Sequence, residues 1–126
     1  MPMVLIAEDE TLIAMMLEGD CVALGYSATF ATSVDGAFEV LATTKIDAAV
    51  LDVNLAGAAV FPVADRLAEC AVPFAFLSGH SPDRVPERHR SRPFLVKPYS
   101  LERIAAVLEA MLRGHLERGA CVRSAH

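Results

Sequence analysis

Five short apolar segments, each followed by a helical or loop-like stretch, are the feature that most restricts the fold of this 126-residue chain. These segments lie at residues 3–7, 26–31, 48–53, 73–77 and 94–96. Continuous apolar strands of this length are typical of a parallel sheet that is covered on both faces. The alternation therefore predicts a flavodoxin-like (βα)5 three-layer sandwich with the strand order 2-1-3-4-5.

Helical spacing of apolar residues follows most of these strands. The first helix begins near Thr11 and ends at Gly25, and its expected core stripe is Ile13, Met16, Leu17 and Leu24. Ser33 and Ser100 are placed to cap the second and the last helix. The last helix is expected to bury Leu101, Ile104, Leu108 and Met111. Residues 81–93 contain three prolines and four arginines without a clean period, so we expect an irregular fourth helix.

The length suits one domain, which we assign to residues 1–113, followed by a polar tail at 114–126. Residues 1–63 carry a net charge of −8 and the remainder +3, and the acidic half argues against direct DNA binding. No apolar stretch is long enough to span a bilayer, and the start of the chain does not resemble a signal peptide. Three dispersed cysteines suit a reducing compartment. These features predict a cytoplasmic protein without membrane contact.

Polar side chains follow four of the predicted strands, where the carboxyl ends of a parallel sheet meet at one edge. They are Glu8, Asp9, Glu10, Asp52, Asn54, Ser78 and Lys97. One pair of carboxylates at about 4 Å costs roughly 4 kcal/mol at an intermediate dielectric. A hard divalent cation offsets that repulsion, and oxygen ligands suit Mg²⁺. We interpret Glu10 as an acid that favours the dipole of the first helix.

The same edge has the groups needed to receive a phosphoryl group. Lys97 and Ser78 would complement phosphoryl oxygens that a metal does not hold. Asp52 would then be the carboxylate nucleophile of aspartyl-phosphate chemistry.

Four motifs across residues 3–112 resemble the receiver domains of bacterial two-component response regulators, in the order and spacing of that family. They are the acid pair at 8–9, Leu-Asp-Val-Asn-Leu at 51–55, Phe-Leu-Ser-Gly at 76–79 and Val-Lys-Pro-Tyr-Ser-Leu at 96–101. The segment 73–79 is also similar to a subgroup of stand-alone receivers with a Phe-Ala-Thr-Gly segment, here with Leu77 and Ser78 in place of Ala-Thr.

The resemblance implies a role for each matching residue. Asp52 matches the phosphorylated aspartate, Lys97 the phosphate-binding lysine and Ser78 the switch hydroxyl. The implied Mg²⁺ ligands are Glu8, Asp9, Asp52 and the backbone carbonyl of Asn54. The implied phosphoryl donor is the phosphohistidine of a sensor histidine kinase or a histidine phosphotransfer protein. The chain would signal through a downstream protein, and it would assist its own phosphorylation and dephosphorylation without being an enzyme.

Three features depart from the family. Ala56 stands where the family usually has proline, Phe94 matches the switch aromatic but has no hydroxyl, and Pro82 and Pro86 break up the fourth helix. We therefore expect phosphorylation to order residues 79–93 and not to rotate a buried tyrosine. His80 is a candidate for tuning hydrolysis, and the resemblance favours a cis bond between Lys97 and Pro98.

A second apolar row on the first helix, made of Leu12, Met15 and Val22, lies on a different face from the core stripe. In the resembling family this helix and the loop after strand 5 dock on the helical bundle that bears the phosphohistidine. We expect Leu12, Met15, Pro98 and Tyr99 to form the docking patch.

Three other functions fit parts of the pattern. A Mg²⁺-dependent phosphatase of the haloacid-dehalogenase type also uses an aspartate at a strand end, but it needs an acid two residues later, where this chain has Asn54. A flavodoxin-like FMN carrier needs a phosphate cradle after strand 1, where three acids would repel it. A receiver fold that docks without being phosphorylated remains open.

Overall fold

The computed structural model describes residues 1–79 and 82–125, with side chains described for residues 1–79 and 83–114. The described residues form seven strands and four α-helices. The strands are β1 (Met3–Ala7), β2 (Ser27–Ala31), β3 (Ala48–Asp52), β4 (Asn54–Leu55), β5 (Ala58–Ala59), β6 (Phe74–Ser78) and β7 (Phe94–Val96). The helices are α1 (Thr11–Ala23), α2 (Val34–Thr43), α3 (Phe61–Glu69) and α4 (Leu101–Ala125).

Five of the strands form one parallel sheet with the order β2-β1-β3-β6-β7. The short strands β4 and β5 form a separate antiparallel hairpin, which the sequence had not indicated. Without that hairpin, the sheet has the predicted 2-1-3-4-5 order, and the flavodoxin-like fold is confirmed. Every residue of β3 and β6 is buried, because both faces of these apolar strands are covered by helices.

The core has two layers, one on each side of the sheet. On one side, the α2–α3 core joins the sheet to helices α2 and α3 and includes Ala37, Leu51, Val53, Leu55, Val60, Val63, Leu67, Phe74 and Phe76. On the other side, the α1–α4 core includes Val4, Ile6, Ala14, Leu17, Cys21, Val50, Leu77, Ile104 and Leu108. Successive residues of β3 alternate between these two layers, as the pleat of a strand requires.

The expected core stripes of two helices were each wrong at one residue. Met16 is 55% exposed, and Ala14, which was not expected in the core, is buried together with Leu17 and Cys21. With about 3.6 residues per turn, Met16 lies on the side of α1 opposite this stripe. Leu101 is 48% exposed because it is the first residue of α4, one turn before the helix meets the sheet at Ile104.

The segment between β6 and β7 is irregular, as predicted. Two short 3-10 helices, Pro82–Arg84 and Glu87–His89, stand where a regular (βα)5 fold has its fourth helix. Proline lacks a backbone donor, which explains why Pro82 and Pro86 interrupt a longer helix. His80, the candidate for tuning hydrolysis, lies outside the described residues.

Both predicted serine caps are present. Ser33 Oγ accepts a hydrogen bond from the Gly36 amide at 3.0 Å, and Ser100 Oγ accepts one from the Arg103 amide at 3.1 Å. Helix α4 continues to Ala125, past the expected boundary at residue 114, so the division into a domain and a polar tail stays a prediction. None of the described helices is long and apolar enough to cross a membrane.

Candidate functional site

The carboxyl ends of the parallel strands bring together the polar residues that the sequence had indicated. We call this group, Glu8, Asp9, Glu10, Asp52, Ser78 and Lys97, the strand-end site. Pairing of β6 with β7 aligns Ser78 with Val96, and the Lys97 amide donates to the Ser78 carbonyl at 2.9 Å. The peptide bond between Lys97 and Pro98 is cis, as predicted.

Lys97 contacts three carboxylates at once. Its Nζ donates to Glu8 Oε1 at 2.9 Å, to Asp52 Oδ2 at 3.2 Å and to Glu10 Oε1 at 3.3 Å. Burial of the ammonium group disfavours its charge, but the contacts with Glu8 and Asp52 outweigh burial and raise the pKa of Lys97. The lysine is therefore held as a cation beside Asp52.

Glu8 is the most unusual group of the site because its side chain is completely buried. Oε1 is bonded to Lys97, whereas Oε2 has no partner among the described residues. Burial, and next the neighbouring carboxyl group of Asp52, raise the pKa of Glu8 to about 8, although Lys97 opposes the shift. An unpaired buried carboxylate oxygen costs about 1–3 kcal/mol or more, and a cation bound at this oxygen would offset that cost.

Three carboxylates of the site are close enough to share a cation. Glu8, Asp9 and Asp52 each offer one oxygen, and these oxygens lie within 4.8 Å of one another. Hard oxygen donors of this kind fit a divalent cation such as Mg²⁺, which binds one or two carboxylates and keeps several waters. The unpartnered Glu8 Oε2 and the exposed Asp9 also fit such an ion.

Asp52 lies at the end of β3 and is only 6% exposed. Its Oδ1 accepts a hydrogen bond from the Asn54 amide at 3.2 Å, and its Oδ2 accepts from Lys97. Both oxygens are therefore oriented by neighbouring donors, one from the backbone and one from a cation. A carboxylate held in this way is suited to act as a nucleophile.

Glu10 makes a contact that the sequence had not indicated. It is the residue directly before α1, and its carboxylate accepts a hydrogen bond from Lys97. The sequence already placed Glu10 at the correct strand end. Only the fold shows that the Lys97 side chain reaches it across 87 residues of chain.

Phe94, the predicted switch aromatic, is half-buried at the start of β7. It borders a cavity of about 240 Å³ with Phe76, Asp83, Val85, His89, Arg90 and Arg92. Apart from Phe76 and Phe94, the residues that line this cavity come from the irregular segment before β7. The cavity therefore lies between the sheet and the segment that replaces the fourth helix.

The sequence analysis missed a second polar group, which we call the Asp65 cluster: Asp65, Arg88 and His89. Asp65 on α3 accepts hydrogen bonds from Arg88 at 2.8 and 3.0 Å and lies 2.7 Å from His89 Nε2. His89 is 3% exposed and packs edge-on against Phe74. No periodicity marked His89, which lies in a segment that the sequence analysis described only as rich in proline and arginine.

The predicted docking residues lie on or near the surface. Leu12 and Met15 are 72% and 57% exposed, and Pro98 is also exposed. Tyr99 is half-buried, and its hydroxyl donates to Asp20 Oδ2 of α1 at 3.1 Å. Burial, and next the charge of Asp20, raise the pKa of Tyr99. Tyr99 therefore ties α1 to the loop after β7, and the exposed part of the patch is Leu12, Met15 and Pro98.

Comparison with solved structures gave three informative matches. The solution structure of SdrG from Sphingomonas melonis Fr1 is 43% identical, covers 89% of this chain and 97% of that chain, and has a TM-score of 0.78. The solution structure of the BeF3-activated conformation of SdrG from Pseudomonas melonis Fr1 is 44% identical, covers 87% and 95% of the two chains, and has a TM-score of 0.74. A crystal structure of a response regulator receiver protein from Burkholderia phymatum is 28% identical, covers 89% and 95%, and has a TM-score of 0.78. No protein-family model and no curated protein matches the chain.

Proposed function

This chain belongs to the response regulator receiver domains, and from that premise we propose that Asp52 accepts a phosphoryl group in a Mg²⁺-dependent reaction. The observation that carries the proposal is the placement of Asp52, which is nearly buried, bonded to Lys97 and within reach of two further carboxylates. A solved relative, SdrG, adopts a conformation activated by BeF3. The proposed donor is the phosphohistidine of a sensor histidine kinase or a histidine phosphotransfer protein.

In the proposed transfer, a carboxylate oxygen of Asp52 forms a bond to phosphorus while the bond from phosphorus to the histidine nitrogen breaks. The bonding electron pair returns to the imidazole of the donor. Lys97 already lies 3.2 Å from Asp52 Oδ2, so its charge stabilises negative charge on the transferred group without a large rearrangement. Ser78, at the end of the adjacent strand β6, supplies a hydroxyl at the same edge.

Glu8, Asp9, Asp52 and the Asn54 carbonyl would hold Mg²⁺. When bound, the ion would neutralise the charge of the acids and of the phosphoryl oxygens. Both carboxylate oxygens of Asp52 already accept a hydrogen bond, so the nucleophile is oriented before the phosphoryl donor arrives. The chain assists this transfer and the later hydrolysis, and it acts as a signalling protein and not as an enzyme with a separate substrate.

The proposed kinase-docking patch is the exposed edge of α1 together with the loop after β7. Leu12 and Met15 are large, exposed and apolar, and methionine adapts to different partner surfaces. Substitution Met15→Lys should slow transfer from a cognate phosphorylated kinase at least tenfold, about 1.4 kcal/mol, and should leave transfer from acetyl phosphate unchanged. Equal slowing with both donors would mean that the substitution disturbs the strand-end site.

The proposed output is a change in residues 79–93, since Phe94 lacks a hydroxyl and borders the cavity beneath this segment. Of that segment, residues 80 and 81 lie outside the described part of the chain. Hydrogen exchange with and without beryllofluoride should show increased protection in 82–93. Protection confined to β7 and α4 would contradict this output.

The decisive experiment is incubation with acetyl phosphate and Mg²⁺, followed by intact mass. The unsubstituted protein should gain the mass of one phosphoryl group, and Asp52→Asn should not. Asp35→Asn, an exposed acid in the first turn of α2, is the matched control and should behave as the unsubstituted protein. If no mass increase occurs in the unsubstituted protein, the phosphorylation proposal is wrong and a docking role without phosphorylation takes its place.

A further inference from the structure

The loop that follows Asp52 is a built hairpin and not an irregular connection. Strands β4 and β5 pair antiparallel, and the two residues between them, Ala56 and Gly57, have φ angles of 52° and 83°. Two successive residues with positive φ are the mark of the tight two-residue turns that suit the twist of a hairpin. Glycine adopts this conformation without strain, so Gly57 explains why the turn forms here.

The base of the hairpin is anchored in the α2–α3 core. Leu55 and Val60 are completely buried, one on each strand side of the turn. The Val60 amide donates to the Val53 carbonyl at 3.0 Å, and the Val53 amide donates to the Leu77 carbonyl of β6 at 3.1 Å. The hairpin is therefore held in one orientation relative to Asp52.

The register of the hairpin assigns its side chains to faces. Leu51, Val53 and Leu55 all belong to the α2–α3 core, so the alternation of side chains continues from β3 past the bend at Val53 into β4. The alternate positions, Asp52 and Asn54, therefore lie on the opposite side of the chain.

The two exposed alanines of β5 fall on different faces. Ala59 is paired with Asn54, and Ala58 is paired with Leu55. Residues directly opposite in an antiparallel pair share one face. Ala59 is thus on the same face as the Asp52 carboxylate, whereas Ala58 is on the face of Leu55.

We propose that Ala59 is a specificity-determining residue that controls access to Asp52. This inference rests on the proposed phosphorylation of Asp52. Because Asp52 is only 6% exposed, a phosphodonor must approach through the small exposed opening around it. Asn54 and Ala59 are paired, exposed and on the same face as Asp52, so they would form the hairpin side of that approach, and the small methyl group of Ala59 would leave it wide.

Access matters for both reactions at Asp52. In phosphorylation by acetyl phosphate, an Asp52 oxygen bonds to phosphorus and acetate leaves with the electron pair of the broken bond. In hydrolysis, a water oxygen bonds to phosphorus, the bond to Asp52 breaks, and Asp52 regains its carboxylate as the water loses a proton to solvent. A larger side chain at residue 59 should slow the first reaction more than the second, because water is smaller than the donor.

The test compares Ala59→Leu with the matched variant Ala58→Leu, which adds the same side chain to the other face of the same strand. Phosphorylation by acetyl phosphate with Mg²⁺ is followed by intact mass, and hydrolysis is followed after removal of the donor. We expect Ala59→Leu to slow phosphorylation at least about fivefold, which is roughly 1 kcal/mol, and to slow hydrolysis about twofold. For Ala58→Leu and for Ala59→Ser, which adds a side chain of similar size to alanine, both rates should stay within about twofold of those of the unsubstituted protein.

Each outcome supports or overturns the inference. Thermal unfolding of the two leucine variants should agree within a few degrees, since both replace an exposed alanine in the same strand. Equal rates for Ala59→Leu and Ala58→Leu would overturn the role of Ala59 and leave the proposed function intact. Absence of phosphorylation in the unsubstituted protein would overturn the proposed function, and this inference with it.

Discussion

At the strand-end site one lysine faces three carboxylates, whereas in the Asp65 cluster one carboxylate faces a guanidinium and an imidazole. Each region also has a buried polar atom without a partner among the described residues, Glu8 Oε2 in the first and His89 Nδ1 in the second. The two regions therefore use similar contacts with opposite balances of charge.

The difference separates a site where acids outnumber the cation, and which could hold a further cation, from an ion pair that links helix α3 to the segment before β7. At the strand-end site the acids outnumber the cation, and the pKa of Glu8 is raised because its ionised form is poorly stabilised. In the Asp65 cluster the bonds to Arg88 and then His89 lower the pKa of Asp65 to about 2, so its ionised form is well stabilised. Functional sites commonly retain such unfavourable local charge at the expense of stability.

The largest expected effect comes from removing the cation of the strand-end site. Lys97→Met should lower the rate of phosphorylation by acetyl phosphate at least about a hundredfold, roughly 2.7 kcal/mol, because the cation bonded to Asp52 is lost. The comparison is with Arg88→Met, which removes the cation bonded to Asp65 and should leave the rate within about twofold. A similar loss in both variants would show that the two regions do not differ in the way proposed.

Glu8→Gln should stabilise the protein in buffer without Mg²⁺. The amide keeps an acceptor for Lys97 and replaces a carboxyl group whose ionised form is poorly stabilised in the folded protein, so the free energy of unfolding should rise by about 2 kcal/mol. Urea unfolding measures the change, and phosphorylation at limiting Mg²⁺ should become slower in the same variant. A loss of stability would mean that the ionised Glu8 contributes to the fold, contrary to the comparison.

Asp65→Ala should have the opposite effect on stability. The buried His89 Nε2 and the Arg88 guanidinium lose their acceptor, so the free energy of unfolding should fall by about 1.5 kcal/mol, a value reduced for the partial exposure of Asp65. Glu69→Ala, on the same helix, is the control, because the Glu69 contact with Arg66 is exposed and 4.0 Å long. The rate of phosphorylation should not change in either variant.

The smallest effect is a dependence on pH. The pKa of Asp65 is lowered from 3.8 to about 2 in the folded protein, so its contribution is complete above pH 3.8 and is lost as the pH falls toward 2. The stability difference between the unsubstituted protein and Asp65→Ala should shrink by about 1 kcal/mol or less from about pH 5 to about pH 3. A difference that stays constant over this range would show that Asp65 is not stabilised by its charge.

The sequence predicted the strand-end site more accurately than it predicted the helix faces. Asp52, Ser78 and Lys97 each follow an apolar strand, and parallel strands bring their carboxyl ends to one edge whatever the helices do. The buried side of α1 could not be read in the same way. Its apolar residues cover more than one face, so the choice between Met16 and Ala14 depends on how closely the helix approaches the sheet.

The hairpin and the Asp65 cluster lay beyond the sequence for different reasons. Residues 55–59 read as a glycine-containing loop, because alanine at φ 52° is not a turn signal and its conformation is imposed by the buried neighbours Leu55 and Val60. His89 reaches Asp65 across 24 residues, and no local period marks a contact between a helix and a proline-rich segment.

The sequence by itself determined the alternation of strands and helices and the residues at the strand ends, because both follow from short apolar runs and from the polar residues directly after them. Only the tertiary structure decided how charge is balanced at those ends, since Lys97 after β7 meets Glu8 and Glu10 after β1 and Asp52 at the end of β3. It also decided that Glu8 is completely buried and that Ala59 shares the face of Asp52. The burial of a side chain and the face on which it lies depend on contacts between segments that are distant in the sequence, and these contacts form only when the whole chain packs.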